Sequence, residues 1–288
     1  MTSEEKAAFV EKLLSIAKEE IRVGYKESQV ALEGPVSKIG GNPYVPADFE
    51  WPYYTGCDYL GENKAERPLS FLAQFDMKDL APLDAEGVLP KTGMLSFFYE
   101  MRTMRWGFEP DDLNAARVYF FPELDSLQER DLPDGIDEYD IVPEFAVDFA
   151  KHISIPEIGD YREADKLGWD DYEECSQAAG YEPDEWGTYT KFLGYPDTIQ
   201  GPMEEECEAV TRGYRQGCPE DYAMIPDEEK VDIAKKAKDW MLLFQMGTVE
   251  KDGYELMFGD CGHIYFWIRK EDLAARRFDK VWMILQCS

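Results

Sequence analysis

Few residues in this sequence combine the side chains and the spacing that chemistry requires. It contains two histidines, His152 and His263, and Cys261 stands two positions before the second. Residues two apart on a strand share a face, so Cys261 and His263 could reach one metal or form a nucleophilic dyad. A zinc site needs more ligands, and no C-x-x-C or H-x-x-x-H accompanies the pair. No catalytic residue, metal or cofactor is therefore assigned. Asp260 precedes the pair in "FGDCGH" and reads first as a turn residue, with a ligand-facing carboxylate as the alternative. Gln74 and Gln245 interrupt apolar runs, and a buried amide must find partners. They either tie to neighbouring backbone or face a shared polar cavity. Trp51 closes the stiff stretch "GGNPYVPADFEWP", which reads as a clamp on the core or as a cleft wall. Trp51, Gln74, Gln245 and Asp260 together form the candidate ligand cleft.

Charge points elsewhere. Thirty Lys and Arg stand against 60 Asp and Glu, a formal charge of −30. Such a field repels phosphate backbones and anionic lipid, which argues against nucleic-acid and membrane binding. The segment from Phe108 to Asp148 holds 13 acids and two bases, Arg117 and Arg130. Glu109, Asp111, Asp112, Asp137 and Glu138 are its candidate interaction surface, and their spacing does not match a calcium loop. The basic run "RKEDLAARRFDK", Arg269 to Lys280, is a candidate internal counter-charge. The phosphate-binding G-x-x-x-x-G-K-[ST] and G-x-G-x-x-G patterns and the hydrolase G-x-S-x-G pattern are absent.

The elements that must position these residues read as α+β with largely antiparallel sheet. "TSEEKAAFVEKLLSIAKEEI" has a Thr2–Glu5 capping box and one apolar face, and predicts a helix over 3–22. "SQVALEG", "LSFLAQFD", "GMLSFFYE", "RVYFFPE" and "FAVDFAKHISI" have strand character and define a first β unit over about 28–158. A helical insertion is expected over about 160–240, including "PDEWGTYTKFL". A second β unit covers about 241–287, and nothing divides the chain into separate domains. The charged N-terminus lacks an apolar signal core, and no run of about 18 apolar residues occurs. The six cysteines without C-x-x-C pairs are expected to be free thiols in a soluble cytoplasmic protein.

The two β units echo each other. Gly41-x-Pro43, Gln74 and Gly93 recur in order as Gly194-x-Pro196, Gln245 and Gly262. Aligning Gly93 with Gly262 matches Leu95 to Ile264, Phe97 to Phe266 and Phe98 to Trp267, and "RVYFF" and "KVWMI" follow. An internal duplication is expected from this pattern.

Several stretches carry a wider likeness: "KIGGNPYVPADFEWP", "PLSFLAQFDMKDL", "LPKTGMLSFFYE", "WGFEP", "LGYPDTIQ" and "MFGDCGHIYFWIRKEDLAARRFDKVWMILQC". In order and spacing they resemble the YwqG-like family, a bacterial domain family of unknown function. The resemblance implies a soluble bacterial α+β domain and, through some relatives, a toxin–immunity setting. It implies no reaction and no catalytic residue. The expected function is a protein-interaction module, immunity- or inhibitor-like, that binds a basic partner. The alternative is a small-molecule binder or enzyme with its cleft near Trp51, Gln74, Gln245 and Asp260. Nothing in the sequence sets an oligomeric state.

Overall fold

The computed structural model describes residues 1–26, 32–57, 62–161, 164, 167–184, 188–251 and 253–288. Helix α1, Ser3–Ile16, opens the chain with the Thr2–Glu5 capping box and buries Phe9 and Leu13. It ends earlier than 22. Lys18–Tyr25 instead form strand β1, because Ile21 and Val23 face the core between two partner strands. The following strands are β2 (Lys38–Ile39), β3 (Tyr44–Pro46), β4 (Tyr53–Cys57), β5 (Lys64–Pro68), β6 (Ser70–Asp76), β7 (Met94–Tyr99), β8 (Ala116–Phe121), β9 (Leu127–Glu129) and β10 (Phe145–Ser154). A short helix α2, Met77–Leu80, follows β6. The strand expected at "SQVALEG" falls partly outside the described residues.

The middle of the chain carries helices α3 (Trp169–Ala178), α4 (Glu204–Thr211), α5 (Pro219–Ala223) and α6 (Asp227–Lys236). The expected helix over "PDEWGTYTKFL" is not formed across its described residues. Lys191–Leu193 form strand β11, because its backbone is bonded by β1 on one side and β12 on the other. Strands β12 (Trp240–Met246), β13 (Val249–Lys251), β14 (Tyr254–Leu256), β15 (His263–Arg269) and β16 (Trp282–Gln286) complete the fold, with helix α7, Lys270–Ala274, after β15.

Ten strands form one antiparallel sheet in the order β16-β15-β12-β11-β1-β10-β2-β6-β7-β8. The order is mirrored about the β10–β1 pair. On one side β2, β6, β7 and β8 succeed one another; on the other, β11, β12, β15 and β16 do the same. The second half begins at β10 rather than near 241, and the opening strands exchange places: β1 pairs with β11, and β10 with β2. Both β6–β7 and β12–β15 carry a register irregularity two residues before the glutamine. The sheet curls until its halves pack face to face. Phe75 meets Phe244 at 5.3 Å between ring centroids, and Phe97 meets Phe266 at 5.1 Å. The edges join where the Leu285 N–H donates to the Trp106 carbonyl and the Trp282 indole to that of Gly107. Cys207 and Val210 of α4 cover the outer face of the second half against Trp240, Trp267 and Trp282.

Candidate functional site

The curl separates the residues proposed as one ligand cleft. Phe75 and Phe244 meet inside, so Gln74, one residue before Phe75, and Gln245, one residue after Phe244, point away on opposite outer faces. Both amides are fully buried and tied to backbone. Gln74 accepts from the Tyr44 N–H and donates to the Val36 carbonyl. Gln245 accepts from the Asp197 N–H and donates to the Tyr189 carbonyl. Trp51 is half-buried, packs against Phe49 and Phe98, and donates to the Leu69 carbonyl. Asp260 lies exposed in the turn before β15, its carbonyl accepting from the Ser288 N–H. These four residues therefore line no common site. Cys261 does not join His263 either: it sits in the left-handed region at φ 51°, exposed, whereas His263 is buried.

The acidic surface needs one correction. Asp112 is buried and works as a local cap, accepting from the Gly107 N–H and the Tyr54 hydroxyl. Burial raises its pKa against the opposing pull of Arg105. Glu109 pairs with Arg215, and Asp137 with Arg102. Asp111 and Glu138 are exposed and make no ion pair among the described residues. Glu109, Asp111 and Asp112 line a cleft of about 870 Å³ together with Trp106, Phe108 and Glu206. One Glu206 carboxylate oxygen is buried there without a hydrogen-bond partner among the described residues. Burial, with Glu204 beside it, pushes the Glu206 pKa up to about 7.

The densest set of titratable groups lies on the outer face of the second half. Lys191 of β11 is fully buried between Glu20 of β1, at 2.8 Å, and Asp197, at 2.7 Å. Burial works against its ammonium, but the two carboxylates outweigh that and hold its pKa above the ordinary lysine value. The Arg22 guanidinium donates to Glu20 at 2.6 Å and stacks on Tyr189. Asp197 also accepts from the Gln245 amide at 2.7 Å and from the Tyr181 hydroxyl at 3.3 Å. His263 of β15 places Nε2 3.2 Å from Asp184, and Tyr265 donates its hydroxyl to the Asp197 carbonyl at 2.5 Å. Burial alone would raise the Asp184 pKa, but His263 and the N–H groups of Tyr189 and Thr188 lower it. Glu157, half-buried and near Asp197, has its pKa pushed up to about 7 by desolvation and by that neighbouring carboxylate.

The first half holds a simpler version of this arrangement. Lys38 pairs with Gln74 in the β2–β6 register as Lys191 pairs with Gln245 between β11 and β12. Lys38 is likewise buried, and its ammonium meets Glu144 at 2.6 Å. Counting along the matched strands, Tyr44 stands where Asp197 stands, Ala146 where Arg22 stands, and Met94 where His263 stands. The Lys–Glu pair is thus common to both halves, and the His, Arg and second carboxylate belong to the second alone. The two lysines were legible, since "KIGGNP" and "KFLGYP" extend the Gly-x-Pro echo by three residues upstream. Asp184 and Asp197 flank β11, and no spacing signal ties them to His263, which lies far beyond both in sequence.

The model of the family described as Domain of unknown function (DUF1963) matches residues 37–287, and the chain belongs to that family. No curated protein matches the chain.

Proposed function

We propose that this family member is an acidic protein-interaction module, immunity- or inhibitor-like, that holds a basic protein partner against the face formed by residues 108–148. The observation that supports it is where the counter-charges go. Arg269 is spent on Glu208, Arg277 on Asp272, and Lys280 on its neighbour Asp279. The basic run 269–280 thus forms no ion pair with the acidic face among the described residues. Asp111, Glu123, Asp125, Glu129, Asp134 and Glu138 have no ion-pair partner there either. Exposed at the rim of a contact with a basic surface, such charges act mainly on the rate of encounter. The same reading makes the chain a bacterial, cytoplasmic, YwqG-like protein, and makes an internal duplication the origin of its mirrored strand order. The described residues contain no helix long and apolar enough to cross a membrane.

The test is capture from native extract at low salt, identification of the retained protein, and association kinetics with it. Asp111→Asn, Asp125→Asn and Glu138→Gln combined should slow association by about tenfold at low salt and leave stability nearly unchanged. Equal association rates for the variant and the wild type, or a retained partner that is acidic, would overturn the proposal. A second reading, a small-molecule site, is favoured by the Glu206 oxygen that finds no partner among the described residues, beside Trp106 and Phe108 in the 870 Å³ cleft.

A further inference from the structure

The mirrored halves serve as an internal control on what the fold requires. Both need a buried lysine, its glutamate and a glutamine to tie strand to loop. The first half does this with Lys38, Glu144 and Gln74 and stops there. The second half adds Asp184, Asp197 and His263, and the first-half counterparts of the latter two are Tyr44 and Met94. The fold is therefore built without a histidine or a second carboxylate at these places, and their presence calls for another cause.

The donor atoms of Asp184, Asp197 and His263 all lie within 4.8 Å of one another. Oxygen and nitrogen ligands sit about 2.0–2.2 Å from a first-row divalent ion, so the three need to draw in by about half an ångström to share one. A supporting shell already orients them. Gln245, Lys191 and Tyr181 hold the Asp197 carboxylate. The Thr188 and Tyr189 N–H groups hold that of Asp184. The Tyr265 hydroxyl lies 3.4 Å from His263 Nδ1, which leaves Nε2 facing Asp184. This is the outer support that ligating histidines and carboxylates require. A groove of about 510 Å³ is lined by Arg22, His152 and the two residues, Thr188 and Tyr189, whose N–H groups hold the Asp184 carboxylate.

We propose that Asp184, Asp197 and His263 form a binding site for one divalent transition-metal ion, with Zn²⁺ or Co²⁺ suited by the imidazole ligand. The proposal is independent of the acidic face. The full chain, stripped with chelator, would be titrated with Zn²⁺ by calorimetry and with Co²⁺ by visible absorption. The expected result is one equivalent bound and d–d bands for Co²⁺. His263→Gln and Asp184→Asn should each weaken binding by about tenfold or more, and Asp260→Asn in the adjacent turn should leave it unchanged. The chain has only two histidines, so wild-type imidazole resonances provide a reading that no destabilised variant can obscure. The ring assigned to His263 with the help of His152→Gln should move on adding Zn²⁺. Failure of the wild type to take up stoichiometric metal would overturn the site. So would movement of the His152 ring alone, or native-like variants that bind as tightly as wild type.

Discussion

Glu157 shows how a single residue in the buried network sets a pH dependence opposite to that of most carboxylates. Its pKa rises from 4.5 to about 7 on folding because burial and Asp197 both disfavour its charge. Between these values the unfolded chain releases the proton while the folded chain keeps it, so this group's stabilising contribution is complete below about 4.5 and lost as the pH climbs through 7. Glu157→Gln, which cannot ionise, should therefore be more stable than wild type at pH 8, on the order of 1–3 kcal/mol. The advantage should vanish by about pH 3.5, where the wild-type carboxyl is protonated in both states. Denaturant unfolding of both proteins at the two pH values measures this, and a constant difference would show that Glu157 is ionised in the fold.

At the level of elements, the two lysine strands end in the same turn. Gly41 and Gly194 both take positive φ, 70° and 74°. A Cβ on Gly41 would lie 2.7 Å from the Glu144 carboxylate, and one on Gly194 would lie 2.9 Å from the Glu20 Cβ. In both halves the glycine makes room for the glutamate that pairs with the buried lysine. Gly41→Ala and Gly194→Ala should therefore each destabilise by about 1–3 kcal/mol, from backbone strain plus the clash. The Gly194 variant should also disturb the Tyr195 N–H bond to Ser154, visible as faster amide exchange there. A loss below about 0.5 kcal/mol at both positions would mean the turn can rebuild without the glycine.

For the molecule as a whole, the crossing of β1 and β10 between the halves removes any plane along which the sheet could divide. Circular dichroism and tryptophan fluorescence should thus report coincident unfolding transitions. A net charge of −30 is repelled by itself in the compact state. Raising ionic strength from about 10 mM to 0.3 M shortens the Debye length several-fold and should raise Tm. A Tm that falls with added salt would mean that the ion pairs around Lys191, Glu208 and Arg212 outweigh the general repulsion.

Local rules carried much of the reading. The Thr2–Glu5 cap, the aromatic strands and the α+β class follow from hydrogen-bonding chemistry and period-two burial, which neighbours in sequence determine. The Gly-x-Pro and glutamine echo likewise marked matching places before any fold was known. Where the helix of residues 3–16 gave way to strand β1, propensity was overruled by a sheet that needed a central strand there, and β11 arose in the same way. The sites were least legible. Gln74 and Gln245 share an environment but not a cavity, because the curl turns their faces apart. Asp112 looks like its exposed neighbours in sequence, yet the 107–112 turn folds it inward as a cap. Asp184 and Asp197 flank β11 while His263 opens β15, and only the sheet with its loops brings their donor atoms together.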